Sequence, residues 1–96
     1  PFDSLARYGG EDFACLLPMT DLAGATAIAQ AMQTQVRNLN IEHLDSTTAS
    51  VVTISLGVAT LIPASDISPE QLTELADQRL YAAKTAGRGQ VCAAAP

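Results

Sequence analysis

The chain has 96 residues, of which 48% are hydrophobic and 4% aromatic, and it carries a net charge of −5. This length fits one domain with a modest core, and the apolar content is that of a globular protein. Because nucleic-acid binding requires basic patches, the acidic balance argues against binding to DNA or RNA. No apolar run approaches the ~20 residues that span a bilayer and no signal peptide is visible, so we expect a cytoplasmic segment without membrane contact.

A glycine-rich, acidic turn lies near the N-terminus, where two short apolar runs flank Gly9-Gly10-Glu11-Asp12. Glycine tolerates the positive φ angles of tight turns, so the pattern predicts a β-hairpin from the strands Leu5-Ala6 and Phe13–Leu17. Hard cations such as Mg²⁺ bind one or two carboxylates together with substrate phosphates. The hairpin tip is therefore either a metal–phosphate site or an ordinary solvated turn.

A first amphipathic helix follows Pro18, with Thr20 or Asp21 as its N-cap. Apolar residues recur at three- and four-residue steps from Leu22 to about Leu39, which predicts one buried stripe. The stripe comprises Ala25, Ile28, Ala29, Met32, Val36 and Leu39. The residues predicted to face water are Gln30, Gln33, Gln35 and Arg37. Asn38 and Asn40 indicate its end.

A β-branched run, Val51–Leu61, predicts a third strand. Gly57 lies inside this run and indicates a bulge or a close approach of another backbone. His43, in the connector before the strand, is the single histidine of the chain. It has no second ligand at metal-binding spacing, so we interpret it as a surface residue.

The second helix has clear sequence signals at both ends. Ser68 is the predicted N-cap, Pro69 occupies the first helical position and Gln71 completes a capping box. Gly87 fits the position just after the helix, and the run Val91–Ala93 predicts a short last strand.

The predicted order is strand, strand, helix, strand, helix and short strand, which indicates an α/β (α+β) sandwich with a mixed sheet. The second strand is apolar on both faces, as in a central strand that is covered on both sides. Cys15 and Cys92 lie among apolar residues, so we expect two small buried side chains rather than a disulfide or a metal pair.

Two of the five basic residues, Lys84 and Arg88, lie four residues apart at the end of the second helix. This spacing places both side chains on one helical face. One interpretation is a phosphate-binding pair. The other is the ordinary preference of cations for helix C-termini, with Gly87 as a cap.

Three separated segments resemble the GGDEF family, the bacterial diguanylate cyclases. Arg7–Phe13 resembles its signature Gly-Gly-(Asp/Glu)-Glu-Phe hairpin, Val52–Ala59 its Val-Thr-x-Ser-x-Gly-Val-Ala strand, and Ala76–Arg88 its closing Ala-Asp-x-Ala-Leu-Tyr-x-Ala-Lys-x-x-Gly-Arg segment. The resemblance covers essentially the whole chain. It departs at Asp12, where the family usually has Glu, and at Gly89, where it often has Asn.

The resemblance implies a fold like that of nucleotidyl cyclases and polymerase palm domains. It also implies an enzyme that condenses two GTP molecules to cyclic di-GMP with release of pyrophosphate, in bacterial second-messenger signalling. The implied cofactor is Mg²⁺ or Mn²⁺. The implied partners are GTP, cyclic di-GMP and a second GGDEF domain in an antiparallel homodimer. The alternative is a catalytically degenerate domain that binds GTP or cyclic di-GMP and regulates a neighbour.

The family pattern also implies roles for individual residues. Glu11 is the implied metal ligand, and Glu11 and Asp12 are the implied catalytic acids. The implied phosphate-binding residues are Gly9, Gly10, Lys84 and Arg88. Phe13 and Tyr81 are expected to serve in packing. Asp12 is one methylene shorter than Glu, about 1.5 Å, and a misplacement of ~1 Å can lower a rate by about 10²-fold.

The resemblance also bears on the ends of the chain. Asp3 falls at the Asp position of the family's Arg-x-x-Asp product-inhibition site, although it is equally a common acid of a turn before a strand. The family domain normally begins with a strand and two helices upstream of the hairpin. We therefore expect residues 1–96 to form a partial GGDEF domain, truncated at the N-terminus, that lacks cyclase activity by itself. We also expect that it can belong to the cytoplasmic part of a membrane-bound sensor.

Overall fold

The computed structural model describes residues 4–7, 12–42 and 52–94. Within them it is a small mixed α/β structure whose elements follow the predicted order. The elements are β1 (Ser4–Arg7), β2 (Phe13–Leu16), α1 (Leu22–Asn38), β3 (Leu56–Gly57), α2 (Pro69–Thr85) and β4 (Val91–Cys92). The predictions made for Asp3, Gly9, Gly10, Glu11 and His43 lie outside the described residues.

Local hydrogen bonds fix the beginning and end of helix α1. Asp21, one of the two predicted N-caps, accepts a hydrogen bond from the Gly24 N–H at 2.8 Å, which satisfies a donor that has no partner within the helix. The helix ends at Asn38, and Asn40 has a φ of 58°, a left-handed conformation that asparagine tolerates well. Both predicted boundaries are confirmed.

Helix α2 likewise begins where its capping residues predict. Ser68 is the N-cap and Pro69 follows it, and the Ser68 backbone N–H donates to Gln71 Oε1 at 2.6 Å. The first turn also carries Glu70, whose negative charge is favourable at a helix N-terminus. Among the described residues, neither helix is long and apolar enough to cross a membrane.

The described strands form two separate two-stranded sheets rather than the predicted single mixed sheet. Strands β1 and β2 are antiparallel, with Ser4 opposite Leu16 and Arg7 opposite Phe13. Strands β3 and β4 are parallel, with Leu56 opposite Val91. Of the predicted strand 51–61, the described residues 52–61 form a strand only at Leu56–Gly57, where β4 provides partners. Leu56 N–H bonds to Gln90 O and Val58 N–H to Cys92 O, whereas Val52 N–H bonds to Ile41 O.

Alternate residues of the segment 53–58 face different helices, as expected for extended backbone. On one face Leu56 and Val58 pack with Ala25 and Ala29 of α1 to form the buried core, which Leu17, Val91 and Ala93 extend. On the other face, Gly57 lies against the backbone of α2. A Cβ atom there would be 2.2 Å from Leu80 N and 2.3 Å from Ala76 O. The close approach predicted at Gly57 is confirmed, and it brings α2 directly onto the strand.

The β1–β2 hairpin has no comparable cover among the described residues. Every residue of both strands is exposed, so the expectation that β2 is covered on both faces is wrong for these residues. Phe13 is 65% exposed and Tyr81 is 73% exposed, so neither is the packing residue that was expected. Cys15 is also exposed, whereas Cys92 is half-buried, and both are free thiols.

The exposed surface is large for a chain of this mass. A compact protein of 10.0 kDa exposes about 5,200 Å², whereas this chain exposes 6912 Å². Several large hydrophobic side chains of the described residues are exposed, among them Met19 at 92% and Ile62 at 83%. The predicted α1 stripe is covered at Ala25 and Ala29, but Ile28 is 36% and Leu39 65% exposed. The structure therefore combines a small core with broad uncovered apolar surface.

Candidate metal and phosphate site

The structure brings one acid of the hairpin together with one cation of α2. Asp12 lies directly before β2, and its Oδ1 atom is 3.5 Å from Nζ of Lys84 in the last turn of α2. The Lys84 side chain is 29% and the Asp12 side chain 41% exposed. A pair this open to solvent contributes about 0.2–1 kcal/mol to stability. Its importance is therefore positional: two segments separated by about 70 residues of sequence meet at one point.

Lys84 projects from a helix that is firmly seated on the strand. Its neighbour Ala83 is only 1% exposed, and Gly57 admits the helix backbone to close contact. Arg79, one turn earlier, donates from Nη1 to the Val58 carbonyl oxygen at 2.8 Å. These contacts fix the position of α2 relative to β3. They therefore also fix the position of the Lys84 backbone, from which its side chain extends.

The turn after α2 holds Arg88 in a strained conformation outside the helix, so the prediction that Lys84 and Arg88 share one helical face is wrong. Gly87 has a φ of 123°, and its N–H bonds to Lys84 O, while the Arg88 N–H bonds to Ala83 O at 3.1 Å. This is the Schellman arrangement that ends many helices. Arg88 itself has a φ of 62°, a left-handed conformation that costs a non-glycine residue about 1–2 kcal/mol.

The next residue, Gly89, is held from two sides. Its N–H donates to Ser55 Oγ at 3.0 Å, and its carbonyl oxygen accepts a hydrogen bond from Gln33 Nε2 of α1. Two such hydrogen bonds contribute about 1–3 kcal/mol, which is comparable to the strain at Arg88. Gln33 was predicted to face water. It is instead half-buried, because its amide reaches the Gly89 carbonyl.

The conformation of Gly89 explains its departure from the family pattern. Its φ is 57°, in the left-handed region that glycine and asparagine both populate. A Cβ atom at this position would lie 3.3 Å from Thr53 Oγ1, so the absence of a side chain also relieves a tight contact. Glycine here preserves the turn rather than disrupting it.

The carboxylate oxygen donors predicted at the hairpin are suitable for Mg²⁺ or Mn²⁺. In the described part of the chain, no three His, Cys, Asp or Glu side chains come together as a ready-made metal cage. Mg²⁺ commonly binds one or two carboxylates and completes its shell with water and substrate phosphates. The partly exposed Asp12 carboxylate fits that mode. Glu11, the predicted metal ligand, lies outside the described residues.

The sequence does not predict the contacts of three residues in the site region: Ser55 and Gln33, which hold Gly89, and Arg79, which joins α2 to Val58. A signal for Ser55 is present, because Thr53, Ser55 and Gly57 are small or polar at every second position of an apolar strand. That alternation marks a face occupied by something other than an apolar core. Gln33 carries no comparable signal, since its partner lies 56 residues away.

Comparison with known proteins adds an independent line of evidence. The sequence model described as "Diguanylate cyclase, GGDEF domain" matches residues 1–90. The protein YhcK of Bacillus subtilis strain 168 is 44% identical over 90 residues, which cover 94% of this chain and 24% of YhcK.

Two similar proteins of Escherichia coli K12 have names that state an activity. "Probable diguanylate cyclase DgcT" is 37% identical over 91 residues, 95% of this chain and 20% of DgcT. "Diguanylate cyclase DgcM" is 36% identical over 92 residues, 96% of this chain and 21% of DgcM. The chain thus spans about a fifth to a quarter of the length of these relatives.

Proposed function

The chain belongs to the GGDEF domain family, and from that premise we propose that it is part of a diguanylate cyclase domain. In this proposal the domain condenses two GTP molecules to cyclic di-GMP. The 3′-hydroxyl of each GTP attacks the α-phosphate of the other, so that two new oxygen–phosphorus bonds form and two pyrophosphates leave. Cyclases of this family generally use a divalent metal.

The observation that carries the proposal is the 3.5 Å contact between Asp12 and Lys84. It joins the acidic hairpin and the basic helix end, the two motifs to which the family pattern assigns the metal and the terminal phosphates. A carboxylate and an ammonium group at this distance can bind a metal–triphosphate together, the acid on the metal side and the cation on the phosphate side.

The roles of the individual residues follow from their chemistry. Glu11 and Asp12 would supply oxygen ligands at the metal, and Gly9 and Gly10 would admit the phosphates close to the backbone. The Lys84 ammonium group is a compact charge on a flexible side chain, which can adjust to the position of a phosphate oxygen. The planar Arg88 guanidinium can donate to two phosphate oxygens at once. Catalysis of phosphoryl transfer relies mainly on such positioning and charge neutralisation.

The proposed assembly is an antiparallel pair of GGDEF domains, each holding one GTP, in the cytoplasm. Asp3 is proposed as part of a product-inhibition site for cyclic di-GMP. By itself the 96-residue chain is proposed to lack cyclase activity.

A second candidate function is a degenerate domain that binds GTP or cyclic di-GMP without turnover. One observation favours it: Asp12 is shorter than the usual Glu and is already paired with Lys84. Gly89, the other departure from the family pattern, does not favour this candidate, because glycine suits the positive φ at this position.

A segment exchange tests the cyclase proposal directly. This chain replaces the matching segment of DgcM, and the purified chimera is incubated with GTP and Mg²⁺ while cyclic di-GMP is quantified. We expect product, and we expect Lys84→Ala to lower the rate at least about tenfold because a charged phosphate contact is lost. Asp12→Glu is expected to raise the rate, by up to about 10²-fold if the missing methylene misplaces the carboxylate.

Glu70→Ala is the matched control, since Glu70 is an exposed acid at the opposite end of α2 from Lys84. Calorimetric titration of the chimera with GTP and with cyclic di-GMP separates the candidates. Binding without product, in the parent and in Asp12→Glu, supports the degenerate domain. A folded chimera that binds neither nucleotide would overturn both.

A further inference from the structure

Three elements of the structure converge on the peptide that follows Arg88. Ser55, on the segment leading into β3, accepts a hydrogen bond from the Gly89 N–H at 3.0 Å. Gln33, on α1, donates to the Gly89 carbonyl oxygen. All three residues are half-buried, so these bonds are shielded from competing water. We call Ser55, Gln33 and Gly89 the Gly89 clamp.

The clamp acts on the residue with the least favourable backbone in its neighbourhood. Arg88 has a φ of 62° although its side chain has a Cβ atom, and Gly87 and Gly89 on either side also have positive φ angles. Such a conformation persists only where the surroundings impose it, and it is commonest at functional sites. The flanking backbone is also fixed, because Gln90 Nε2 donates to Ala86 O at 2.7 Å and Leu56 N–H bonds to Gln90 O at 2.9 Å.

We propose that Ser55 and Gln33 are positioning residues that set the location of Arg88 for binding of the triphosphate. This inference rests on the proposed function, because it assigns Arg88 to the phosphates. The clamp ties the Arg88 turn to α1 and to the strand, while α2 carries Lys84. The two cations are thereby held in a fixed spatial relation by the packed half of the molecule. Without the clamp, the Arg88 turn relaxes towards ordinary negative φ, and Arg88 is no longer held in the position that the turn after α2 gives it.

The first test measures the clamp itself on the 96-residue chain. Hydrogen exchange of backbone amides, followed by NMR, is compared between the parent, Ser55→Ala and Gln33→Glu. We expect the Gly89 amide to exchange at least about tenfold faster in Ser55→Ala, since its acceptor is gone. Gln33→Glu replaces the amide donor by an oxygen that faces the Gly89 carbonyl. Gln30→Glu, with the same charge change at an exposed position of the same helix, is the control. An unchanged Gly89 exchange rate in both variants would overturn the clamp.

The second test asks whether the clamp acts through Arg88. The affinity of the DgcM chimera for GTP with Mg²⁺ is measured by calorimetry in a double-mutant cycle of Ser55→Ala and Arg88→Ala. We expect Ser55→Ala to weaken binding about fivefold and Arg88→Ala at least about tenfold. In the Arg88→Ala background, Ser55→Ala should cause no further loss of GTP affinity, because the arginine side chain that Ser55 positions is absent.

The possible outcomes separate this inference from the function on which it rests. If the parent chimera does not bind GTP, the proposed function fails. If Arg88→Ala weakens binding but Ser55→Ala and Gln33→Glu do not, the function stands and the positioning role is wrong. If Ser55→Ala weakens binding equally with and without Arg88, the serine supports the fold in general and the positioning role is again overturned.

Discussion

The two halves of this molecule differ sharply in how their functional residues are supported. Lys84 and Arg88 belong to a packed half, in which α2 lies against Gly57 and the Gly89 clamp holds the turn. Asp12 belongs to the hairpin, whose two strands are exposed along their full length. The two cations proposed to bind the phosphates therefore lie on well-packed backbone. The acid proposed to bind the metal lies on a hairpin that has little support among the described residues.

The largest expected effect comes from breaking the packed half at Gly57. Gly57→Ala places a Cβ atom about 2.2 Å from Leu80 N, a backbone atom that cannot move without shifting α2. We expect the free energy of unfolding to fall by about 3 kcal/mol, measured by urea denaturation.

Gly24→Ala is the matched control for that change. Its Cβ atom would lie 3.1 Å from side-chain atoms of Asp21 and Thr20, which can adjust. Alanine also favours helix over glycine by about 1 kcal/mol. The free energy of unfolding should therefore change by less than about 1 kcal/mol. Equal losses at both glycines would contradict the close helix–strand contact.

A smaller loss of unfolding free energy is expected when one apolar side chain from each half is truncated and the two losses are compared. Leu56 packs on the core, whereas Phe13 is 65% exposed. Leu56→Ala should cost about 2 kcal/mol of unfolding free energy. Phe13→Ala should cost less than about 1 kcal/mol, although phenylalanine is the larger residue. A reversed order in urea denaturation would show that the hairpin is packed and the contrast between the halves is wrong.

The smallest expected effect lies at the contact between the halves. A double-mutant cycle of Asp12→Ala and Lys84→Ala should give a coupling energy of about 0.2–1 kcal/mol, as for other exposed ion pairs. The coupling should decrease as salt rises from about 0.01 M to 1 M, because the Debye length shortens from about 30 Å to 3 Å. A coupling that is independent of salt would contradict an electrostatic contact.

The helices and their ends were predictable from sequence because their signals are local. Asp21, Ser68 and Gly87 each act within a few residues, through capping bonds and a positive φ. The family motifs likewise indicate the acids and cations from the sequence alone.

What escaped prediction depends on contacts between distant segments. The burial of Gln33 follows from a hydrogen bond to a residue 56 positions away. The exposure of Phe13 reflects the absence of a neighbour over the hairpin among the described elements, and apolar patterning alone does not supply one. Within the described residues 52–61, the strand is shorter than predicted, because side-chain alternation shows where a strand can form, while a ladder requires a partner strand.

The central claim is that the hairpin acid and the two helix-end cations form one site for a metal–triphosphate. It is tested most directly by an NMR titration of the 96-residue chain with GTP and Mg²⁺, which detects even millimolar binding. We predict that the amide signals of Asp12, Lys84 and Arg88 shift together with one apparent Kd, and that Glu70 at the far end of α2 stays unchanged. Shifts of Lys84 and Arg88 without Asp12, or no shifts at all, would contradict the claim.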